Sequence, residues 1–416
     1  MQFPQFGSDI VRLTASNVFN NAVTFLTGFI IAATVTADVF GIYSVALYVV
    51  MVIFSVSDFG MNISIVRYYN KSLDTRVKNR VLQAGLWVKI FVSTFLILIS
   101  FPLGWLLSEI LSPDYSIQKE LSIAVLCAST LGFWMFIRSV YQARQDYRPY
   151  AGLTFRYGLI RLLLVGIVFS FDVPSAIFYL VALYLLGPLL AACTAIFVFI
   201  RDVGVRFDVD VRKKTRQLLS YGKWVMVGSV LYPLCFSLPL FILMRMAGAD
   251  AAGQYSVGLM FVAIISPFND AIRAFLLPKV SGFECHIEAR NYVTKLRRFA
   301  LPYSCALLTL VGGCAIMYKL FLGQEYPDGL LILVLLMIAS GITVFGGIIN
   351  NVMHYLGIPH IDACVNVGRI FFIAVTSVIA IPYFGALGAA MSAGAAMVIG
   401  EIITFSVISR YLKSAQ

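Results

Sequence analysis

The sequence predicts an all-α membrane protein with about twelve transmembrane helices in two six-helix bundles and with both termini in the cytoplasm. Three observations predict this fold class: the composition, the charge of the loops and an internal repeat. Apolar residues make up 60% of the chain and charged residues only 12%, which lies far outside the composition of soluble domains. The apolar runs are long and continuous, so they predict helices rather than the short alternating strands of a barrel.

Each predicted span holds the roughly 20 apolar residues that a helix needs to cross the hydrocarbon core. No cleavage signal precedes the first span, so we expect it to be retained as an anchor. In chain order the spans cover residues 9–34, 40–66, 80–105, 120–142, 150–170, 173–200, 217–246, 251–278, 296–322, 327–353, 360–382 and 386–411.

Lysine and arginine are concentrated in alternate loops, and the loops between them carry almost none. The positive-inside rule therefore places the basic loops, and with them both termini, in the cytoplasm. The net charge of +11 reflects this topology and does not indicate nucleic-acid binding. The basic loops hold Arg67, Lys71, Arg76, Lys78 and Arg80, then Arg138, Arg144 and Arg148, then Arg201, Arg206, Arg212, Lys213, Lys214 and Arg216, and then Lys279, Arg290, Lys295, Arg297 and Arg298.

One stretch of the chain occurs twice. Residues 37–47 (ADVFGIYSVAL) return at residues 249–259 (ADAAGQYSVGL), and in the same register Asp58 falls on Asp270. Six spans per half is an even number, so the two halves have the same membrane orientation. The predicted domains are an N-terminal bundle of residues 1–200, a cytoplasmic linker of residues 201–216 and a C-terminal bundle of residues 217–416. A duplicated apolar chain indicates a transporter whose substrate path lies between the repeats.

Two spans carry polar stripes at helical spacing. The stripe of the first span includes Asn17 and Asn21, and the stripe of the tenth includes Asn350. Such residues either line a water-filled cavity or hold helices together through hydrogen bonds, and the spacing fits both. The full stripes are Thr14, Asn17, Asn21, Thr24 and Gly28, and Thr343, Gly347, Asn350 and His354.

Three cations, Lys89, Arg161 and Arg369, lie deep within their spans, too far from the cytoplasmic end for comfortable snorkelling. An intramembrane cation requires an anionic or hydrated partner. One interpretation is an ion pair with a carboxylate elsewhere in the bundle, such as Glu401. The other is a cationic cavity that receives phosphate or another anion. Nearer the cytoplasmic face, the side chains that either line the mouth of such a cavity or snorkel to the interface are Arg156, Lys223 and Arg273.

The duplicated acids Asp58 and Asp270 lie in the cytoplasmic third of their spans. They are interpreted either as parts of a gate or tether, or as a protonation switch for coupling. The seven cysteines and three histidines form no close-spaced cluster, so neither a metal site nor a cofactor is predicted. Whether H⁺ or Na⁺ drives the protein is left open by the sequence.

Several segments resemble one family. FGIYS at residues 40–44, SDFG at 57–60 and VRY at 66–68 resemble the second helix of polysaccharide flippases, and YLGIP at 355–359 and IPYFGALGAA at 381–390 resemble their last two helices. The chain is thus similar to Wzx-type O-antigen and capsule flippases of the multidrug/oligosaccharidyl-lipid/polysaccharide (MOP) superfamily. The resemblance implies a MATE-like inner-membrane transporter that carries an undecaprenyl-pyrophosphate-linked oligosaccharide repeat unit by alternating access. It also implies that basic residues line the cavity, here Lys89, Arg161 and Arg369, and it allows other membrane proteins of polysaccharide assembly as partners.

Other classes of membrane protein fit the sequence less well. A multidrug extruder of the same superfamily would hold organic cations with acidic and aromatic groups, whereas the deep charges here are mainly positive. Lipid II flippases usually carry two additional helices. A membrane-embedded O-antigen polymerase or ligase would carry a long extracytoplasmic loop with catalytic arginines, whereas the longest such loop here, residues 106–119, is short and biased towards acids. We therefore expect a transporter and not an enzyme.

Overall fold

The structure is a computed structural model that describes residues 3–113, 116–170, 175–205, 208–265, 286–350 and 359–414. Nearly every residue in these ranges is helical. The elements are α1 (Phe3–Thr34), α2 (Ala37–Ser57), α3 (Met61–Lys71), α4 (Thr75–Leu111), α5 (Gln118–Arg144), α6 (Tyr147–Ser170), α7 (Ala176–Leu180), a π-helical turn (Val181–Leu186), α8 (Gly187–Val203), α9 (Val209–Val262), α10 (His286–Phe321), α11 (Gly329–Asn350) and α12 (Pro359–Ser414).

Within the described ranges, ten helices are long and apolar enough to cross a membrane. The prediction of a helical, polytopic membrane protein is therefore confirmed, while the number twelve and the orientation of the termini stay predictions. Two of the long helices are interrupted by a glycine outside helical geometry, α9 at Gly248 (φ 83°) and α12 at Gly385 (φ 53°). Both interruptions fall between spans that the hydropathy pattern separates, at residues 246–251 and 382–386.

The described helices form two compact units. Unit 1 contains residues 1–35 and 42–233, and unit 2 contains residues 36–41 and 234–416. Helices α2 and α9 each have residues in both units. The division into bundles at 1–200 and 217–416 stays a prediction, because the first part of α9 belongs to unit 1.

The predicted linker is attached to unit 1 by charge. Arg80, near the start of α4, forms ion pairs with Asp208 at 3.6 Å and with Asp210 at 2.5 Å. Asp208 also caps α9, because its carboxylate accepts a hydrogen bond from the backbone N–H of Val211 at 2.8 Å. A further contact is the hydrogen bond from Gln83 Nε2 to the carbonyl of Val203 at 2.9 Å. The residues at 201–216 that the structure describes are therefore held against the start of α4.

The start of the repeated stretch, residues 37–41, packs against residues 249–253 of its own copy within unit 2. A Cβ added to Gly41 would collide with the carbonyl of Ala249, and one added to Gly253 would collide with the carbonyl of Ala37. Each copy thus supplies a small-xxx-small pattern that lets the two helix backbones touch. The reciprocal contact explains why the same alanine and glycine occur in both copies.

Candidate functional site

Lys89 and Asp58 form a buried ion pair between α4 and the end of α2. Lys89 is 3% exposed and Asp58 is 9% exposed, and the ammonium donates a hydrogen bond to Asp58 Oδ1. The second carboxylate oxygen of Asp58 accepts the backbone N–H of Asn62 at 3.4 Å, in the first turn of α3. One carboxylate therefore neutralises a deep cation and caps a helix as well.

A break between α2 and α3 positions that carboxylate. Phe59 (φ 49°) and Gly60 (φ 62°) are both left-handed, and α3 starts immediately afterwards at Met61. Glycine is required at position 60 for two reasons. Its φ is left-handed, and a Cβ there would collide with the carbonyl of Gly222 in α9. The predicted span 40–66 is thus two helices, and the repeated Asp58 lies at their junction.

Arg161 of α6 is equally buried, at 3% exposed, but all its partners are neutral. Nη1 donates to the hydroxyl of Thr24 at 2.8 Å, and Nη2 donates to Thr27 at 3.4 Å and to the hydroxyl of Tyr184 at 3.3 Å. The guanidinium also lies over the rings of Tyr157 and Tyr184, each at 5.3 Å. Among the residues that the structure describes, no carboxylate pairs with it, and its Nε is buried without a partner.

The π-helical turn at Val181–Leu186 brings Tyr184 to Arg161. A π turn leaves carbonyl groups without the ordinary helical partner, and such turns often occur at functional sites. Two neighbouring side chains satisfy these carbonyls: the hydroxyl of Thr130 donates to Tyr184 O at 2.6 Å, and the hydroxyl of Tyr157 donates to Leu183 O at 3.2 Å. The turn is therefore fixed in place by α5 and α6.

Arg138 of α5 has a similar environment. Its Nη2 donates to Asn17 Oδ1 at 3.3 Å and to the hydroxyl of Tyr150. Its guanidinium lies over the rings of Trp134 at 4.8 Å and of Tyr150 at 4.6 Å. Within the described part of the chain it too lacks a carboxylate, and its Nε is buried without a partner.

Arg369 of α12 is neutralised within unit 2. Its Nη2 donates to Glu401 at 2.7 Å and its Nη1 donates to Asn366 at 3.2 Å. Both ends of the pair lie against glycines, because a Cβ on Gly400 would collide with the guanidinium and one on Gly346 would collide with the carboxylate of Glu401. The ion-pair interpretation that named Glu401 therefore describes this cation.

A cavity of about 420 Å³ opens beside Arg369. It lies between the two arms of α12, which meet at Gly385. Apart from the guanidinium, its walls are apolar or small: Cys364, Val365, Gly368, Phe372, Ala396, Ile399, Gly400 and Ile403. Arg369 is thus paired and still borders an open space.

The remaining residues that the sequence predicts for the cavity are half-buried on α1, exposed, or outside the described structure. Asn17 binds Arg138, and Asn21 is half-buried one helical turn further along α1. Arg156 is exposed and its Nε donates to the carbonyl of Gly152 at 3.4 Å, while Lys223 is exposed on α9. The predicted residues that lie outside the described structure are Asp270, Arg273 and His354, together with the side chain of Asn350.

Sequence reasoning assigned Arg138 to a basic loop, because it lies close to the end of a predicted span. The structure instead places it beside Asn17, a member of the polar stripe of α1. A usable signal was present, since Trp134 lies one helical turn before Arg138. That spacing puts an aromatic ring and a cation on one face of α5.

Among the residues that the structure describes, ten helices are long and apolar enough to cross a membrane, and charged groups are buried among them, so the chain is a polytopic membrane protein. The polysaccharide biosynthesis protein family matches residues 6–281, well over half of the chain, and the chain belongs to that family. It is 23% identical over 392 residues to the lipopolysaccharide biosynthesis protein WzxC of Escherichia coli (strain K12). The matched region covers 91% of this chain and 76% of WzxC.

Two solved structures have the same fold. One is an inward-facing multidrug resistance MATE family transporter of the MOP superfamily, with a TM-score of 0.78, 13% identity and 95% of each chain covered. The other is the lipid II flippase MurJ in an inward closed conformation, with a TM-score of 0.76, 12% identity, 96% of this chain covered and 87% of MurJ. The predicted resemblance to Wzx-type flippases of the MOP superfamily is confirmed. The protein is a multi-pass protein of the bacterial inner membrane.

Proposed function

We propose that this protein is a flippase. It moves an undecaprenyl-pyrophosphate-linked oligosaccharide repeat unit, of O-antigen or a related surface polysaccharide, from the cytoplasmic to the outer leaflet by alternating access. The family supplies the pathway, and the related WzxC is a lipopolysaccharide biosynthesis protein. The substrate combines a long apolar tail, a diphosphate and sugars. The chemical requirement is therefore a cationic group inside the membrane that binds phosphate oxygens.

Arg161 is the observation that carries the proposal. A buried cation without a counter-ion is costly within a membrane, and proteins retain such residues for function. A guanidinium suits a diphosphate, because its fork of donors matches two phosphate oxygens. The hydroxyls of Thr24, Thr27 and Tyr184 orient that fork without neutralising it.

The other predicted residues are proposed to assist Arg161. Arg369 borders the apolar cavity of α12, and Lys89 is held by Asp58, so each is available to an anion only if its carboxylate is released. Arg156, Lys223 and Arg273 are proposed to attract the anionic substrate at the cytoplasmic mouth. Asp58 and Asp270 are proposed as gate or coupling residues, with H⁺ and Na⁺ both left open. No cofactor is proposed, and the protein is proposed to catalyse no reaction.

The runner-up is a cation-coupled multidrug extruder, which shares the fold. Such a protein binds organic cations and needs negative charge deep in its interior. The two buried carboxylates of the described ranges, Asp58 and Glu401, are each neutralised by a basic side chain. The remaining deep charges, Arg138 and Arg161, are positive, which favours an anionic substrate.

The test is deletion of the gene in its own bacterial host, with surface polysaccharide measured and lipid-linked intermediates extracted. We expect polysaccharide to be lost and undecaprenyl-linked repeat units to accumulate, with mass spectrometry identifying the sugars. Complementation by the wild type and by Arg148→Gln, which removes an exposed charge, should restore export. Normal polysaccharide together with new sensitivity to cationic dyes would contradict the proposal and favour the extruder.

A further inference from the structure

Arg138 and Arg161 are connected by aromatic rings. Trp134 lies 4.8 Å from the guanidinium of Arg138, and its ring is 4.6 Å from the ring of Tyr157. Tyr157 in turn lies 5.3 Å from the guanidinium of Arg161. The two rings thus lie next to each other between the two cations in the interior of unit 1, and each ring presents a π face to one cation.

The two guanidiniums lie at different depths. Helix α5 ends at Arg144 and α6 begins at Tyr147, so both arginines can be measured from one end of the hairpin. At about 1.5 Å per residue, Arg138 lies about 9 Å from that end and Arg161 about 21 Å. Their partners on α1, Asn17 and Thr24, are separated by about 10 Å along the helix, which agrees with this difference. The polar stripe of α1 therefore runs past both cations.

Exposure differs as well. Arg138 is half-buried, whereas Arg161 is 3% exposed. Among the residues that the structure describes, Nη1 of Arg138 has one hydrogen-bond acceptor, the sulfur of Met135 at 3.8 Å, which is a weak acceptor. A half-buried arginine whose Nη1 has only a weak sulfur acceptor, and which has no carboxylate partner among the described residues, is available to an incoming oxyanion.

We propose that Arg138, held by Asn17, Tyr150 and Trp134, is a first oxyanion station that binds the diphosphate of the lipid-linked substrate before that group reaches Arg161. The proposal rests on the proposed function for the identity of the substrate. The two arginines are about 12 Å apart along the helix axes, a longer distance than a diphosphate spans. The two arginines are therefore occupied in turn.

The basic end of the α5–α6 hairpin is the end that loop charge places in the cytoplasm. Arg138 is thus the station nearer the leaflet from which the substrate starts. The aromatic rings hold each guanidinium by cation–π attraction without cancelling its charge, which an ion pair with a carboxylate would do. This arrangement keeps both stations positive while no anion is bound.

Trp134 provides a local reporter, because it contacts the guanidinium of Arg138. The experiment uses the full-length protein in lipid nanodiscs, with the other three tryptophans replaced (Trp87→Phe, Trp105→Phe and Trp224→Phe). Tryptophan emission is followed while farnesyl diphosphate or inorganic diphosphate is added. We expect a saturable change with farnesyl diphosphate, weakened about tenfold by Arg138→Gln, since one charge-assisted contact is lost.

Three further variants define the assignment. Arg138→Lys should recover part of the affinity, because the charge stays and the planar fork is lost. Arg161→Gln should keep the response, because the stations are separate, and Arg148→Gln should behave as the parent reporter. If Arg138→Gln does not give a monodisperse helical protein, the affinities of Arg138→Lys and Arg148→Gln for farnesyl diphosphate are compared instead, and a weaker affinity of Arg138→Lys supports the proposal.

An unchanged affinity in both Arg138 variants would overturn the proposal. Inorganic diphosphate binding as tightly as farnesyl diphosphate would also overturn it, because the site would then bind free phosphate rather than the lipid carrier. The titration requires no transport, so its outcome is separate from that of the deletion. A deletion strain with normal polysaccharide would remove the proposed function, and an Arg138-dependent response to farnesyl diphosphate would still establish the station.

Discussion

Lys89 and Arg161 are equally buried in unit 1, but their surroundings differ in kind. Lys89 is held by the carboxylate of Asp58, whereas Arg161 is surrounded by hydroxyls and aromatic rings. The sequence presents both as deep cations without a nearby acid, and Arg369 looks the same. The contrast teaches that equal burial does not mean an equal electrostatic state. The protein supplies a counter-charge to Lys89, whereas the described residues around Arg161 are neutral.

The largest expected effect on stability comes from breaking the ion pair between Lys89 and Asp58. Lys89→Met leaves Asp58 buried and uncompensated, so we expect the free energy of unfolding to fall by about 3–5 kcal/mol. Unfolding in mixed micelles measures it. The double variant Lys89→Met/Asp58→Asn should recover most of the loss, because no charge stays buried and the amide oxygen still caps α3. A single variant as stable as the wild type would show that the pair contributes nothing.

The ion pair between Arg369 and Glu401 in unit 2 tests the same distinction in a second cation that has a carboxylate partner. Arg369→Gln should lower stability by about 2–3 kcal/mol, less than Lys89→Met because the guanidinium is partly exposed to the cavity. Arg369→Gln/Glu401→Gln should restore both stability and polysaccharide export if the pair is structural. Export that stays lost in a stable double variant would instead make Arg369 a substrate contact.

A smaller effect is expected at the π-helical turn. Thr130→Val removes the hydroxyl that binds the carbonyl of Tyr184, and it should lower stability by about 1 kcal/mol. Export should also decrease, because Tyr184 then positions Arg161 less well. Thr130→Ser keeps the hydroxyl and serves as the matched control in the same unfolding and export assays. If both variants behave alike, the hydrogen bond does not support the site.

Much of the fold could be predicted from the sequence. Predicted spans 120–142 and 150–170 agree closely with α5 and α6, because long apolar runs bounded by charges fix helices in a membrane. The break at Phe59 and Gly60 was missed, since hydropathy does not respond to backbone dihedral angles. The π turn at Val181–Leu186 was missed for the same reason: its sequence is an ordinary apolar run, and the donors that stabilise it come from other helices.

The candidate site was only partly predictable. Periodicity selected Asn17, which contacts Arg138 in the structure, and depth selected Lys89, Arg161 and Arg369. Which cation has a carboxylate depends on contacts between residues far apart in the chain, such as Lys89 with Asp58, and no local spacing reports those. Glu401 was named in advance only as one candidate partner. Arg138 was missed because its position near a helix end resembled that of a loop cation.

Export by Arg161→Gln tests the central claim most directly. It is measured as surface polysaccharide in the deletion strain, at matched protein level, beside the exposed-charge control Arg148→Gln. A carboxylate-free guanidinium that binds the diphosphate predicts that export falls about tenfold or more in Arg161→Gln, is partly restored in Arg161→Lys and persists in Arg148→Gln. Wild-type export by a folded Arg161→Gln protein would contradict the account.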